Sequence, residues 1–226
     1  AAAWPATCVV AVEADEARAA GLRANLARQR LEEVRVVVAD VLDLSPEFDG
    51  RFSAVLLDPP CTGLGTLASR PDLRWRHRPG DVKRLADLQH RLLERAAGLV
   101  EPGGALTYSV CTITNAETLG VIDPFLARGG WTLDDLSAAY PRFAHPRRGG
   151  PLLTLPSRDH TSGFFIARLR RGRGVEGGAG QSGAAAVGDR GAGETSPPSL
   201  DVPRPRRRRP RDRARGKEPD RVGENR

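Results

Sequence analysis

Three short apolar runs, at residues 8–13, 34–39 and 52–57, each close on a carboxylate: Glu13, Asp40 and Asp58. Apolar runs of this length, broken only by Arg35 and Ser53 and two of them rich in valine, suit strands covered on both faces, which is the condition of a parallel sheet. Between the first two, residues 15–30 place Ala17, Ala20, Leu22 and Leu26 near helical spacing among good helix formers, so a helix is expected there. Pro59 and Pro60 stop the third run, because proline cannot continue a central ladder. Residues 80–100 predict a long helix with Val82, Leu85, Leu88, Leu92, Ala96 and Leu99 on one face, ended by Glu101-Pro102-Gly103-Gly104. A strand should return over 105–110. Thr114-x-x-Glu117 has the form of a capping box and predicts a helix to about Arg128, where Gly129-Gly130 ends it. A closing strand pair is expected at 131–133 and 163–169. Strands alternating with helices imply an α/β fold around a parallel sheet with right-handed crossovers. In such a sheet ligands sit at the carboxyl ends of the strands, where the three carboxylates fall.

The length of 226 residues and an apolar share of 39% suffice for one core, expected over 1–172. Residues 173–226 turn to Gly, Ala, Ser, Pro and Arg with almost no large apolar side chain. Burial cannot offset ordering entropy in such a segment, and a disordered tail is expected. The formal charge of +7 points to a polyanionic partner, but from Gly174 onward twelve Lys or Arg face eight Asp or Glu, so much of the excess lies in the tail. Its Arg206–Arg209 cluster could bind nucleic acid without sequence preference, or be a solvated run. No apolar run reaches the length of a membrane span, and a cytoplasmic, monomeric protein is the default. The absence of methionine leads us to expect that residue 1 is not a natural start.

Three widely spaced cysteines fit neither a disulfide framework nor a C-x-x-C metal site, and His77, His90, His145 and His160 are scattered, so no metal is expected. Three carboxylates at strand ends suit a nucleoside, since they accept hydrogen bonds from ribose hydroxyls and an exocyclic amine. Each alone could equally be a helix cap or loop acid. Cys8, inside the first run, reads as a small buried hydrophobe. Cys61, in Asp58-Pro59-Pro60-Cys61-Thr62-Gly63, and Cys111, in Tyr108-Ser109-Val110-Cys111-Thr112, follow strand ends on the same edge. There a thiolate could act as a nucleophile, and the residues alone do not say which of the two. Arg70, Arg74, Trp75 and Arg76 combine phosphate-binding charge with a stacking ring. The competing reading is a solvated loop with Trp75 tucked against the long helix.

Asp58-Pro-Pro-Cys-Thr-Gly-Leu-Gly-Thr, then Arg70-Pro-Asp-Leu-Arg-Trp-Arg, Thr107-Tyr-Ser-Val-Cys-Thr and Gly163-Phe-Phe-Ile-Ala-Arg resemble the NOL1/NOP2/Sun (Sun/Fmu-type) family of RNA cytosine-5 methyltransferases over roughly residues 8–170. The resemblance implies a Rossmann-like class I methyltransferase sheet that uses S-adenosyl-L-methionine on RNA, with ribosomal RNA the expected substrate. It implies that Cys111 adds to cytosine, that Cys61 assists product release, and that Asp58 contacts the base edge near the cofactor. It assigns Glu13 to the cofactor ribose, Asp40 to its adenine, and favours RNA contact for the Arg70–Arg76 stretch. The family's glycine-rich loop with a following lysine comes before the segment matched by residues 8–13, and Ala1–Thr7 contains no glycine. The chain should therefore lack the first, central strand of the sheet, leaving two edges, and be weak in cofactor binding and folding. Two other readings stand beside this one. One is a catalytically inert RNA-binding module on the same scaffold. The other is an amino-group methyltransferase, which shares Asp-Pro-Pro but wants an aromatic residue where Cys61 stands.

Overall fold

In a computed structural model that describes residues 8–31 and 33–173, strands β1 (Val9–Glu13) and β2 (Val34–Val38) flank helix α1 (Glu16–Gln29). Next come β3 (Phe52–Leu57), the single turn α2 (Leu73–Arg76), α3 (Asp81–Leu99) and β4 (Val100–Val110). The chain closes with α4 (Leu119–Ala127), β5 (Trp131–Leu133), β6 (Leu152–Leu153), α5 (Pro156–Asp159) and β7 (Phe165–Arg171). The expected tail at 173–226 lies, but for Arg173, outside the described residues.

β1 and β2 pair in parallel, Glu13 opposite Val38, and form one small sheet. The other sheet runs β3-β4-β7-β5, with β6 added on β7. No hydrogen-bonded strand joins the two sheets among the described residues. That gap lies where the resemblance removes a central strand, and it leaves Leu56 of β3 71% exposed in mid-strand. The halves are held by side chains instead: Leu44, Phe48 and Leu99 are buried with Val10, Val12, Val37, Phe52 and Val55 packed against them.

The parallel expectation holds for β3 and β4 but not for the end of the chain. β7 runs antiparallel to β4, β5 and β6. β7 slots between β4 and β5, and its alternate residues Phe165, Ala167 and Leu169 are fully buried in the main core. β4 begins directly at the end of α3, so Glu101-Pro-Gly-Gly is strand, with a register shift against β3 between Phe52 and Ala54. A β-carbon on Gly104 would stand 2.7 Å from Val100 Cγ1, so only glycine allows this irregular start. α3 buries Leu85, Leu92, Leu93, Ala96 and Leu99 on one face, much as its pattern predicts, and also buries Gln89.

The capping box is the clearest departure. Residues Asn115–Glu117 form a 3-10 turn, α4 starts only at Leu119, and Glu117 is completely buried. Its carboxylate turns inward because five donors wait there, which a surface cap could not match.

Candidate active site

β3 and β4 are parallel neighbours in register, Leu57 opposite Tyr108, so the loops that follow them leave the same sheet edge. Asp58 heads the first loop and Cys111 the second. Across fifty residues of sequence, Cys61 Sγ and Cys111 Sγ approach to 3.4 Å. Nothing local to either loop requires this approach.

A buried polar cluster behind the sulfurs accounts for it. Glu117 Oε1 accepts from the Thr62 N–H at 2.8 Å and from Gln89 Nε2 at 3.2 Å. Its Oε2 accepts from the hydroxyls of Thr62 (2.6 Å), Thr112 (3.0 Å) and Thr114 (2.8 Å). Gln89 also donates to the Pro60 carbonyl at 2.8 Å, while His77 Nε2 meets the Thr62 carbonyl. Tyr108 donates to the Glu117 carbonyl at 2.8 Å. Among the described residues no buried side-chain polar atom lacks a partner, so a carboxylate at zero exposure is tolerable here. Burial alone would raise the Glu117 pKa, but the hydrogen bonds from Thr62, Thr114 and Thr112 outweigh it and hold the group below its ordinary value. The stability it adds is thus present above the ordinary carboxylate range and lost as pH falls through the folded value.

A second stitch is made by backbone. The Gly65 N–H donates to the Cys111 carbonyl at 3.0 Å, and the Gly163 N–H donates to the Gly65 carbonyl at 2.7 Å. Gly63, at φ +67°, lets the chain turn between the thiol and this contact. Gly163 leads into β7, so three loops meet at one point.

The two thiols are not equivalent. Burial pushes the Cys61 thiol up to about 12, the hydrogen bond and charge of Cys111 add to it, and the N–H groups of Gly63 and Cys111 only partly oppose it. Cys61 therefore keeps its proton at neutral pH and can share it across the 3.4 Å contact with Cys111. Cys111→Ala removes two of the influences that raise Cys61 and opens space beside it. We expect Cys61 to react faster with iodoacetamide at pH 8.5 in that variant than in the parent, followed by peptide mass spectrometry. Each unit of lowered pKa multiplies the thiolate fraction by about ten; an unchanged rate would contradict the coupling. Asp58 is open to solvent on one side, and partial burial of its carboxyl raises it above the usual range.

Glu13 and Asp40 stand at the ends of β1 and β2, and both also do the local work that the sequence allowed. Glu13 Oε1 accepts from the Asp15 N–H and pairs with Arg18 at 2.9 Å, while Asp40 caps a 3-10 turn through the Leu42 N–H. Among the described residues the second oxygen of each has no hydrogen-bond or ion-pair partner, so both retain acceptor capacity for a ligand. No hydrogen bond or ion pair among the described residues links either one to Asp58 or the thiols. On α2, Trp75 is 89% exposed and not tucked against α3. Arg70 and Arg76 lie beside it, each within ion-pair distance of Asp72. Arg74 is exposed on the same turn. Sequence reasoning singled out neither Glu117, Gln89 nor His77 as site residues. The capping-box spacing was the one signal for Glu117, and it suggested a different role.

No helix among the described residues is long and apolar enough to cross a membrane, and no three His, Cys, Asp or Glu among them are grouped to hold a metal. The family model described as 16S rRNA methyltransferase RsmB/F matches residues 3–170. A putative methyltransferase of Mycobacterium tuberculosis is 40% identical over 150 residues, 66% of this chain and 33% of that protein. The ribosomal RNA small subunit methyltransferase B of Thermus thermophilus is 44% identical over 130 residues, 57% of this chain and 32% of the relative. The chain thus spans about a third of the length of these curated relatives. Among solved structures, NSun6 of Pyrococcus horikoshii with SFG, an analogue of S-adenosylmethionine, aligns at a TM-score of 0.60 and 29% identity, over 73% of this chain and 41% of that one. A methyltransferase homolog protein from the same organism gives a TM-score of 0.61 and 30% identity, covering 73% of this chain and 53% of its own. With a family match over most of its length and a class I methyltransferase sheet, the chain belongs to the 16S rRNA methyltransferase RsmB/F family.

Proposed function

We propose that this chain carries the catalytic residues of an S-adenosylmethionine-dependent methyltransferase that modifies carbon 5 of cytosine in ribosomal RNA through a covalent cysteine adduct. The observation that carries the reading is the 3.4 Å approach of Cys61 and Cys111 at the sheet edge where Asp58 heads the loop of Cys61. Carbon 5 of cytosine is a poor nucleophile. Addition of the Cys111 thiolate to carbon 6 moves the ring's electron pair to carbon 5, which can then take a methyl group. The cofactor supplies that methyl as an electrophile. Partial burial makes Asp58 easier to protonate, and in its protonated form it can donate to the ring edge and stabilise the charge that the addition creates there. Loss of the carbon-5 proton then restores the double bond and expels Cys111. Cys61 assists by giving its proton to the departing Cys111 sulfur across the 3.4 Å contact, and the thiolate it becomes takes up the carbon-5 proton.

The donor set suits the cofactor's nucleoside. Glu13 would hold the ribose hydroxyls and Asp40 the adenine amine, each through an oxygen left over from its local bond. Arg70, Arg74 and Arg76 would meet phosphate, with the exposed ring of Trp75 as a stacking surface.

The test uses RNA containing 5-fluorocytosine with S-adenosylmethionine. Fluorine cannot leave as a proton does, so the adduct should persist through denaturing electrophoresis and be absent with Cys111→Ala. Adduct formation unaffected by that substitution would overturn the assignment. No adduct with the parent chain, despite binding of both RNA and S-adenosylmethionine, would favour an inert RNA-binding module.

A further inference from the structure

We infer that Glu117 is a positioning residue: its buried carboxylate clamps the loop of Cys61 to the loop of Cys111 and so sets the spacing of the two sulfurs. The inference deepens the proposed chemistry, since spacing matters catalytically only if both thiols act on one base.

Three observations lead to it. The residue directly after each cysteine, Thr62 and Thr112, hydrogen-bonds the same carboxylate, and the two threonine hydroxyls also meet at 3.0 Å. Gln89 extends the clamp to the residue before Cys61, because one amide nitrogen reaches both the Pro60 carbonyl and Glu117. The polar atoms of Thr62 are all engaged, its N–H and hydroxyl by Glu117 and its carbonyl by His77, so the loop cannot slide without breaking several bonds at once. Glu117 touches neither sulfur. It acts through the backbone that carries them, and a displacement of about 1 Å at a reacting group can cost on the order of a hundredfold in rate.

A carboxylate that merely completed the fold would affect the whole chain alike. Spacing of the sulfurs can be read separately, by the rate at which diamide oxidises Cys61 and Cys111 to a disulfide in the 226-residue chain. Two thiols lose two protons and two electrons to the N=N bond of the reagent, and the S–S bond forms only within narrow geometry. Cys8, on a different part of the chain, reports general loosening through its alkylation rate. Glu117→Ala should slow disulfide formation about tenfold or more, with Cys8 alkylation and circular dichroism unchanged. Glu117→Gln should stay within about threefold of the parent, because its oxygen can still accept from the Thr62 N–H and Gln89 while two of the three threonine hydroxyls turn to accept from its two amide protons. If Glu117→Ala fails to fold, Thr62→Val and Thr112→Val each remove one hydroxyl bond from a loop to the carboxylate at nearly constant volume, and slowing by either supports the clamp. The inference is overturned if Glu117→Ala oxidises at the parent rate, if Gln is as slow as Ala, if Cys8 accelerates in step, or if both valine variants match the parent. Slowed disulfide formation in Glu117→Ala together with no RNA adduct from the parent chain would remove the proposed chemistry and leave the clamp standing.

Discussion

Gly65→Ala is expected to lower stability by about 2–4 kcal/mol, roughly 10 °C in Tm for a domain of this size, and to abolish the close approach of the two thiols. The reason is steric and unusually direct. A β-carbon on Gly65 would stand 2.0 Å from the Gly163 carbonyl oxygen and 2.7 Å from its carbonyl carbon. Those atoms are backbone and cannot rotate away as a side chain would. Both hydrogen bonds that Gly65 makes, to Cys111 and from Gly163, would have to lengthen or break together. Gly163→Ala is the milder control: its β-carbon would meet the Ile113 Cγ2 methyl at 2.8 Å and Gly65 Cα at 2.9 Å, and Ile113 is 43% exposed and free to yield. Thermal denaturation and diamide oxidation of the pair Gly65→Ala and Gly163→Ala measure both effects. A Gly65→Ala Tm equal to that of the parent would show that the loop can open at little cost.

The contrast between these glycines and the sequence explains what could be read from it and what could not. Strand and helix positions were legible because apolar period and proline stops are local signals: the 52–57 run is β3 residue for residue, and 80–100 is α3 trimmed by one residue at each end. The direction of β7 was not legible, because Phe165, Ala167 and Leu169 would bury equally well in a parallel or an antiparallel strand. Cys61, Cys111 and Asp58 stood out by residue type at strand ends, and the structure places the two thiols side by side. Glu117 hid behind a spacing that usually means a surface cap. Its true partners, Thr62 and Gln89, lie 55 and 28 residues away, and no local rule connects them. Gly65 carried no signal at all, since its requirement comes from the backbone of Gly163, nearly a hundred residues downstream. Trp75 shows a related limit. Its position between arginines allowed either burial against α3 or display, and only packing could decide for display.

Cys61→Ala and Cys111→Ala should separate the two halves of the proposed reaction, with the largest change in the lifetime of the RNA adduct. Without Cys111 no bond to carbon 6 can form, so methyl transfer falls to background and no adduct is seen with ordinary RNA or with 5-fluorocytosine RNA. Without Cys61 the addition and the methyl transfer still proceed, since Cys111 and Asp58 remain. Only loss of the carbon-5 proton is left unassisted, so an adduct to ordinary cytosine should accumulate where the parent chain shows almost none. General acid–base assistance is typically worth 10²–10⁴-fold, and release should slow by about that factor. The two sulfurs are close enough to exchange roles only if the ring can approach either one. Their 3.4 Å separation makes that the critical comparison, because proximity alone does not rank them. The family resemblance ranks them, with Cys111 as the nucleophile, and the burial that raises the Cys61 thiol agrees with that order. If Cys61→Ala abolished the adduct and Cys111→Ala trapped it, Cys61 would be the nucleophile, and the roles carried over from the family would be reversed even though the site itself was correctly located.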